Sequence, residues 1–252
     1  MRKKQRVISF VGGLTLTLLF LAFFNVTAFC EQPGQEAEWT QDYIKQVPPI
    51  MMYEPYYKIF GQATKPIPYT YEEAIKLSGH SCGAGAGAWT IVRKALEALY
   101  PGGEIPVRGN IIIYVPGAED QWHLGVFAEI MMYVTGAAPE TGFIGSEFGR
   151  EDDVFVRRNK MIFTEKPTST KKWDMIWIFE RTDTKKRVGV NFDLRKVKPP
   201  VTKARIALGA KVAKGNATPA EAIEFIKYWN ARVKFIFANA DTIPGFFTVT
   251  DQ

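Results

Sequence analysis

Between two stretches of helical periodicity the chain reads Gly79-His80-Ser81-Cys82-Gly83-Ala84-Gly85-Ala86-Gly87-Ala88, and the last six of these residues have almost no side-chain bulk. Each glycine inside a helix costs roughly 1 kcal/mol relative to alanine. A fold that starts a helix on Gly83, Gly85 and Gly87 therefore uses the space, because a ligand or another backbone can approach closely there. This makes the three glycines candidate ligand- or cofactor-contacting positions. Close crossing of two helices would use the same residues, with Cys82 as a small apolar filler.

The run also holds scarce residues. The chain has two histidines and two cysteines, and His80, His123 and one of the cysteines, Cys82, all fall within residues 79–123. Imidazole nitrogen and thiolate sulfur bind zinc and related ions near neutral pH, and the same groups serve as nucleophile and base in covalent catalysis. Cys82 lies where one helix has ended and the next begins. Free N–H groups and the helix dipole there are expected to lower a thiol pKa from its usual ~8.5, which makes Cys82 a candidate catalytic residue as well. The spacing fits neither a structural zinc ribbon nor a haem-attachment motif. Nor does Gly83-Ala-Gly85-Ala-Gly87 form a dinucleotide fingerprint, since a helix precedes it rather than a strand. Glu119 and Asp120 read as loop-solvating carboxylates. Arg150, Arg157 and Arg158 could meet an anion, although arginines at strand edges are more often solvated or salt-bridged.

At the N-terminus, Arg2, Lys3, Lys4 and Arg6 precede an apolar stretch reaching to about Phe29. This is the pattern of an export leader, residues 1–28, with Val26 and Ala28 at a cleavage site; the stretch is also long enough to stay as a membrane anchor. A lipidated Cys30 fits less well, because Phe29 stands where a small residue is expected. Without residues 1–28 the formal charge falls from +6 by four to +2, so the basic character lies mostly in the leader and gives no argument for nucleic acid. The expected location is the periplasm or another extracytoplasmic space, with membrane contact only through the N-terminal segment. A homo-oligomer is left open.

Residues 29–68, rich in Pro, Tyr and Met, show no sustained period and read as an extended arm. The capping-box sequence Thr70-Tyr71-Glu72-Glu73 predicts a short helix ending at Gly79, followed by a helix over 83–100 stopped by Pro101-Gly102-Gly103. A buried strand is predicted at 108–115 and a helix at 122–134. Further strands are predicted at 153–164 with a break near Asn159, at 173–181 and at 187–194, the last two forming a hairpin. Helices are predicted at 203–213 and 219–238, the latter opened by the capping-box sequence Thr218-Pro219-Ala220-Glu221. The order suggests an α+β domain over 69–200, an antiparallel sheet packed by helices, with 201–252 as a C-terminal helical segment on it.

The segment Gly79-His80-Ser81-Cys82-Gly83 leading into the helix at Trp89–Tyr100, then strand, helix, Val134-Thr135-Gly136 and the stretch to Arg157-Arg158, resembles the FmdE-like family, named for a component of formylmethanofuran dehydrogenase, over roughly residues 70–195. The resemblance implies an α+β domain and a cleft holding the His-x-Cys pair with a bound divalent metal, commonly zinc. On this chain His80, Cys82 and His123 would be the ligands. Three N/S ligands with an open position suit a water or a small anionic substrate, whereas four suit a structural ion. The family's cysteine-rich C-terminal module is missing, since no cysteine follows Cys82, and the common proline after the motif cysteine is Gly83 here. The fold and the site location carry over, and the dehydrogenase activity does not. The other expectation is a non-catalytic accessory protein whose Gly/Ala-lined cleft, walled by Trp89 and Trp122, holds a small organic ligand.

Overall fold

The computed structural model describes residues 39–121, 124–145, 153–164 and 175–252. Two helices start at the predicted capping boxes. Thr70 Oγ1 accepts the Glu73 N–H at 3.2 Å, and Glu73 Oε2 accepts the Thr70 N–H at 3.1 Å. At the other site, Thr218 and Glu221 make the same exchange at 3.3 and 2.7 Å. Each box satisfies donors that a helix start would otherwise leave unpaired.

In the arm, for which the sequence predicts no element, the chain forms α1 (Tyr43–Gln46), β1 (Ile50–Met52), α2 (Pro55–Ile59) and β2 (Ile67–Tyr69), with β1 and β2 paired antiparallel. These pieces are too short to show a period of their own. Then come α3 (Tyr71–Leu77) and the central helix α4 (Gly83–Leu99). Gly79 turns the chain between them with φ +77°, a left-handed conformation that glycine adopts without strain.

The main sheet contains β3 (Ile111–Val115), β4 (Met161–Phe163), β5 (Ile176–Arg181), β6 (Arg187–Phe192) and β7 (Phe247–Asp251), in the order β4-β3-β5-β6-β7. All neighbours run antiparallel except β3 and β4, which are parallel and joined by a crossover through α5 (Leu124–Thr135). Helices packed on this sheet give the α+β fold. Two expectations are revised. Of 153–164, only Met161–Phe163 pairs, after a 3-10 turn at Asp153–Phe155 and a break at Asn159, whose φ is 58°. The C-terminal segment carries α6 (Lys203–Ala213) and α7 (Pro219–Asn239) as expected, and then β7, which the sequence does not predict. β7 completes the sheet beside β6, so the end of the chain belongs to the domain it was expected only to cover.

Helix α4 contacts α5, α7 and the sheet strands β5, β6 and β7. Its small residues permit this. A Cβ on Gly87 would come 2.5 Å from the Phe192 ring, and one on Gly85 would come 3.2 Å from Ile130 Cδ1. Among the described residues no helix is long and apolar enough to cross a membrane.

Candidate functional site

The loop 79–82 emerges between α3 and α4 and is clamped by hydrogen bonds from distant parts of the chain. Tyr43 OH donates to Asn230 Oδ1 at 3.0 Å, and the Asn230 amide is oriented by its Nδ2 donating to Ile226 O. With the Tyr43 proton committed, the 3.0 Å bond between Tyr43 OH and Ser81 Oγ takes its hydrogen from the serine. Ser81 Oγ in turn accepts from Tyr71 OH at 2.8 Å. Trp229 Nε1 donates to the Ser81 carbonyl at 2.8 Å. Burial pushes the Tyr71 phenol far above its ordinary pKa, so it remains a donor. None of these partners is expected from sequence, because Tyr43 and Asn230 are 187 residues apart.

His80 and Cys82 both line one cleft of about 660 Å³. His80 is exposed, and its Nδ1 lies 3.2 Å from the Ser78 carbonyl. A carbonyl can only accept, so this bond puts the ring proton on Nδ1 and leaves the Nε2 lone pair available to a ligand. Cys82 is buried and caps α4, its Sγ accepting the Gly85 N–H at 3.3 Å. The expected lowering of its pKa is overturned. Burial pushes the thiol above its usual value, and the N–H groups of Gly85 and Ala84 only partly oppose that. In the metal-free protein Cys82 is a thiol at neutral pH and not an activated nucleophile.

Of the three glycines, Gly83 lines the cleft, whereas Gly85 and Gly87 use their small size against Ile130 and Phe192. His123 and Trp122 lie outside the described residues, as does Arg150. Glu119 and Asp120 are exposed in a turn and do not line the cleft. Trp89, expected on its wall, is buried and instead lines a second cleft of about 620 Å³ with Arg93 and Asp241; among the described residues Trp229 is the tryptophan that lines the His80–Cys82 cleft. Arg157 and Arg158 do not reach that cleft. Arg157 is 2% exposed and donates to Glu54 Oε1 at 2.7 Å, while Arg108 holds Glu54 Oε2 at 3.0 Å. Arg158 Nε donates to Gly142 O at 2.8 Å.

A sulfur and an imidazole on one wall suit zinc chemically, but a catalytic zinc takes three protein ligands. Among the described residues no three His, Cys, Asp or Glu side chains come together. The described part of the cleft thus supplies two donors. The remaining lining is mainly apolar, with Val126 and Phe127 from the first turn of α5, Val197 and Val201 from the segment before α6, Ile236 from α7, and two arginines, Arg195 and Arg232. No protein-family model and no curated protein matches this chain.

Proposed function

We propose that the chain is an exported, zinc-binding protein of the FmdE type, with His80 and Cys82 as ligands at the start of α4 and His123 as the third. The observation that carries this reading is the meeting of His80 and Cys82, two of the chain's scarce soft donors, on one cleft. Helix α5 begins at Leu124, the residue after His123, and its Val126 and Phe127 line the same cleft. The N–H groups of Gly85 and Ala84 at the Cys82 sulfur would steady a thiolate once a metal had displaced its proton. The Ser78 carbonyl would hold His80 in the ligating tautomer. Bound zinc with an open position supplies Lewis acidity and an activated water. The chain's own residues orient the donors and wall the cleft with apolar side chains. Metal analysis of the full chain beside His80→Ala, Cys82→Ala and His123→Ala tests the reading. The expected result is bound zinc in the wild type and its loss in the variants; equal metal content in all four would overturn it.

A second reading is favoured by the size and apolar walls of the cleft: an accessory protein that holds a small organic ligand. Native mass spectrometry of the protein from its own host tests this, with an organic adduct expected. A bare mass, unchanged by added metal, would count against both readings.

A further inference from the structure

The charged groups around the two clefts are treated differently. In the cleft beside Trp89, Arg93 donates to Glu97 at 2.8 Å and to both oxygens of Asp241 at 2.9 and 2.8 Å, and Lys94 joins Asp241 at 2.6 Å. The cations there are neutralised by the fold. In the His80–Cys82 cleft, Arg195 is held by Asp193 through two bonds of 2.8 Å. Arg232 has no such partner: among the described residues no carboxylate pairs with it and none lines the cleft. Its Nη1 donates to the Pro199 carbonyl, and its guanidinium stands 5.8 Å from the Tyr228 ring centroid. A carbonyl and a ring face fix its position without cancelling its charge. A half-buried guanidinium beside apolar walls and without a counter-ion is costly to the fold, and an anion entering the cleft would remove that cost. Burial already presses on the charge, lowering the Arg232 pKa from its ordinary value against smaller raising effects of Tyr228.

We propose that this cleft binds an amphipathic organic acid, its carboxylate on Arg232 and its hydrocarbon part against Val126, Phe127, Val201 and Ile236. The inference names the ligand class for the second reading and rests on the cleft holding an organic molecule; it does not depend on zinc. Arg232 can offer paired N–H donors to a carboxylate, which an ammonium or an alcohol cannot use in the same way. The volume of about 660 Å³ falls in the usual range for small-molecule sites.

The test is calorimetric titration of the full chain, in chelator, with three probes of equal length: hexanoate, hexanol and hexylamine. Hexanoate is expected to bind about tenfold more tightly than hexanol, with hexylamine weakest, the size of preference that one charge-assisted pair supplies. Arg232→Gln is expected to bring hexanoate down to the level of hexanol and leave hexanol unchanged. Equal binding of hexanoate and hexanol by the wild type would overturn the inference while leaving an organic ligand in the cleft, and this comparison stands even if the variant fails to fold. Preference retained in Arg232→Gln would overturn it too, as would preference that vanishes with chelator, since that would put the anion on a metal. No binding of any probe would overturn it as well, and the host-derived adduct would then decide the second reading separately.

Discussion

The cluster under the arm and the cleft at the start of α4 both contain arginines, and the fold pairs those of the cluster with a carboxylate but not Arg232 of the cleft. Around Glu54, which is buried, Arg108 and Arg157 take one carboxylate oxygen each, and Arg157 lies near the rings of Tyr56 and Phe143, at 5.6 and 5.9 Å from their centroids. These charges tie the arm to the segments that lead into β3 and β4. They are held by the protein for the protein. At the cleft, Arg232 has the Pro199 carbonyl and Tyr228 as its partners and His80 has the Ser78 carbonyl, with no carboxylate on either among the described residues, and the fold leaves their chemistry facing the cavity. Where a charge serves the structure its partner is built in, and where the partner is missing the group is available to a ligand.

Substitutions at the two places should separate these roles. The largest effect is expected for Glu54→Ala, which leaves two guanidinium groups without their carboxylate. Breaking such a buried pair costs about 3–5 kcal/mol, read as a lower denaturation midpoint; a shift within error would mean that the cluster is not structural. Next is Ser81→Ala, which removes the hydroxyl between Tyr71 and Tyr43 and leaves the buried Tyr71 donor unsatisfied. The cost should be about 1–3 kcal/mol, measured in the same way, and a neutral result would break the clamp on the loop.

The glycines of α4 give a smaller and more discriminating pair. Gly87→Ala would gain up to ~1 kcal/mol of helix propensity, but its Cβ would meet Phe192, which is stacked on Phe247 with ring centroids 4.5 Å apart. The ring cannot yield easily, so a net loss of about 1–2 kcal/mol is expected. Gly85→Ala is tight only against the flexible tip of Ile130, with Tyr71 OH and Cys82 Sγ at ordinary contact distance, and should come out near neutral. Equal effects at the two positions would contradict this account of the packing. The smallest expected change in stability is for His80→Ala, whose exposed ring makes one bond to a neighbouring carbonyl. Its unfolding midpoint should match the wild type.

Much of the fold is legible in local sequence and the site only partly so. Thr70–Glu73 and Thr218–Glu221 mark helix starts because a capping box is closed within four residues. The break at Asn159 and the hairpin before Arg187 are local as well. By contrast, β7 is invisible until β6 is there to pair with it, and nothing in Met161–Phe163 says that it lies parallel to β3. The same division holds at Cys82. Its position at a helix start is written in the sequence, and with it the expectation of a reactive thiolate. The burial that reverses the pKa comes from packing of the assembled chain, as do the clamp from Tyr43 and Asn230 and the unneutralised Arg232.

The central claim, that the loop 79–82 presents ligands to a metal and not a packing cysteine, is tested most directly by the reactivity of Cys82. With Cys30 changed to serine so that one thiol reports, iodoacetamide alkylation of metal-free protein should be slow at neutral pH. Its half-maximal rate should lie above the pH of an ordinary thiol, because burial favours the protonated form. Added zinc should suppress what reaction remains, and His80→Ala should weaken that protection without speeding the metal-free reaction. An alkylation rate indifferent to zinc would contradict the claim and leave Cys82 a buried cap on α4.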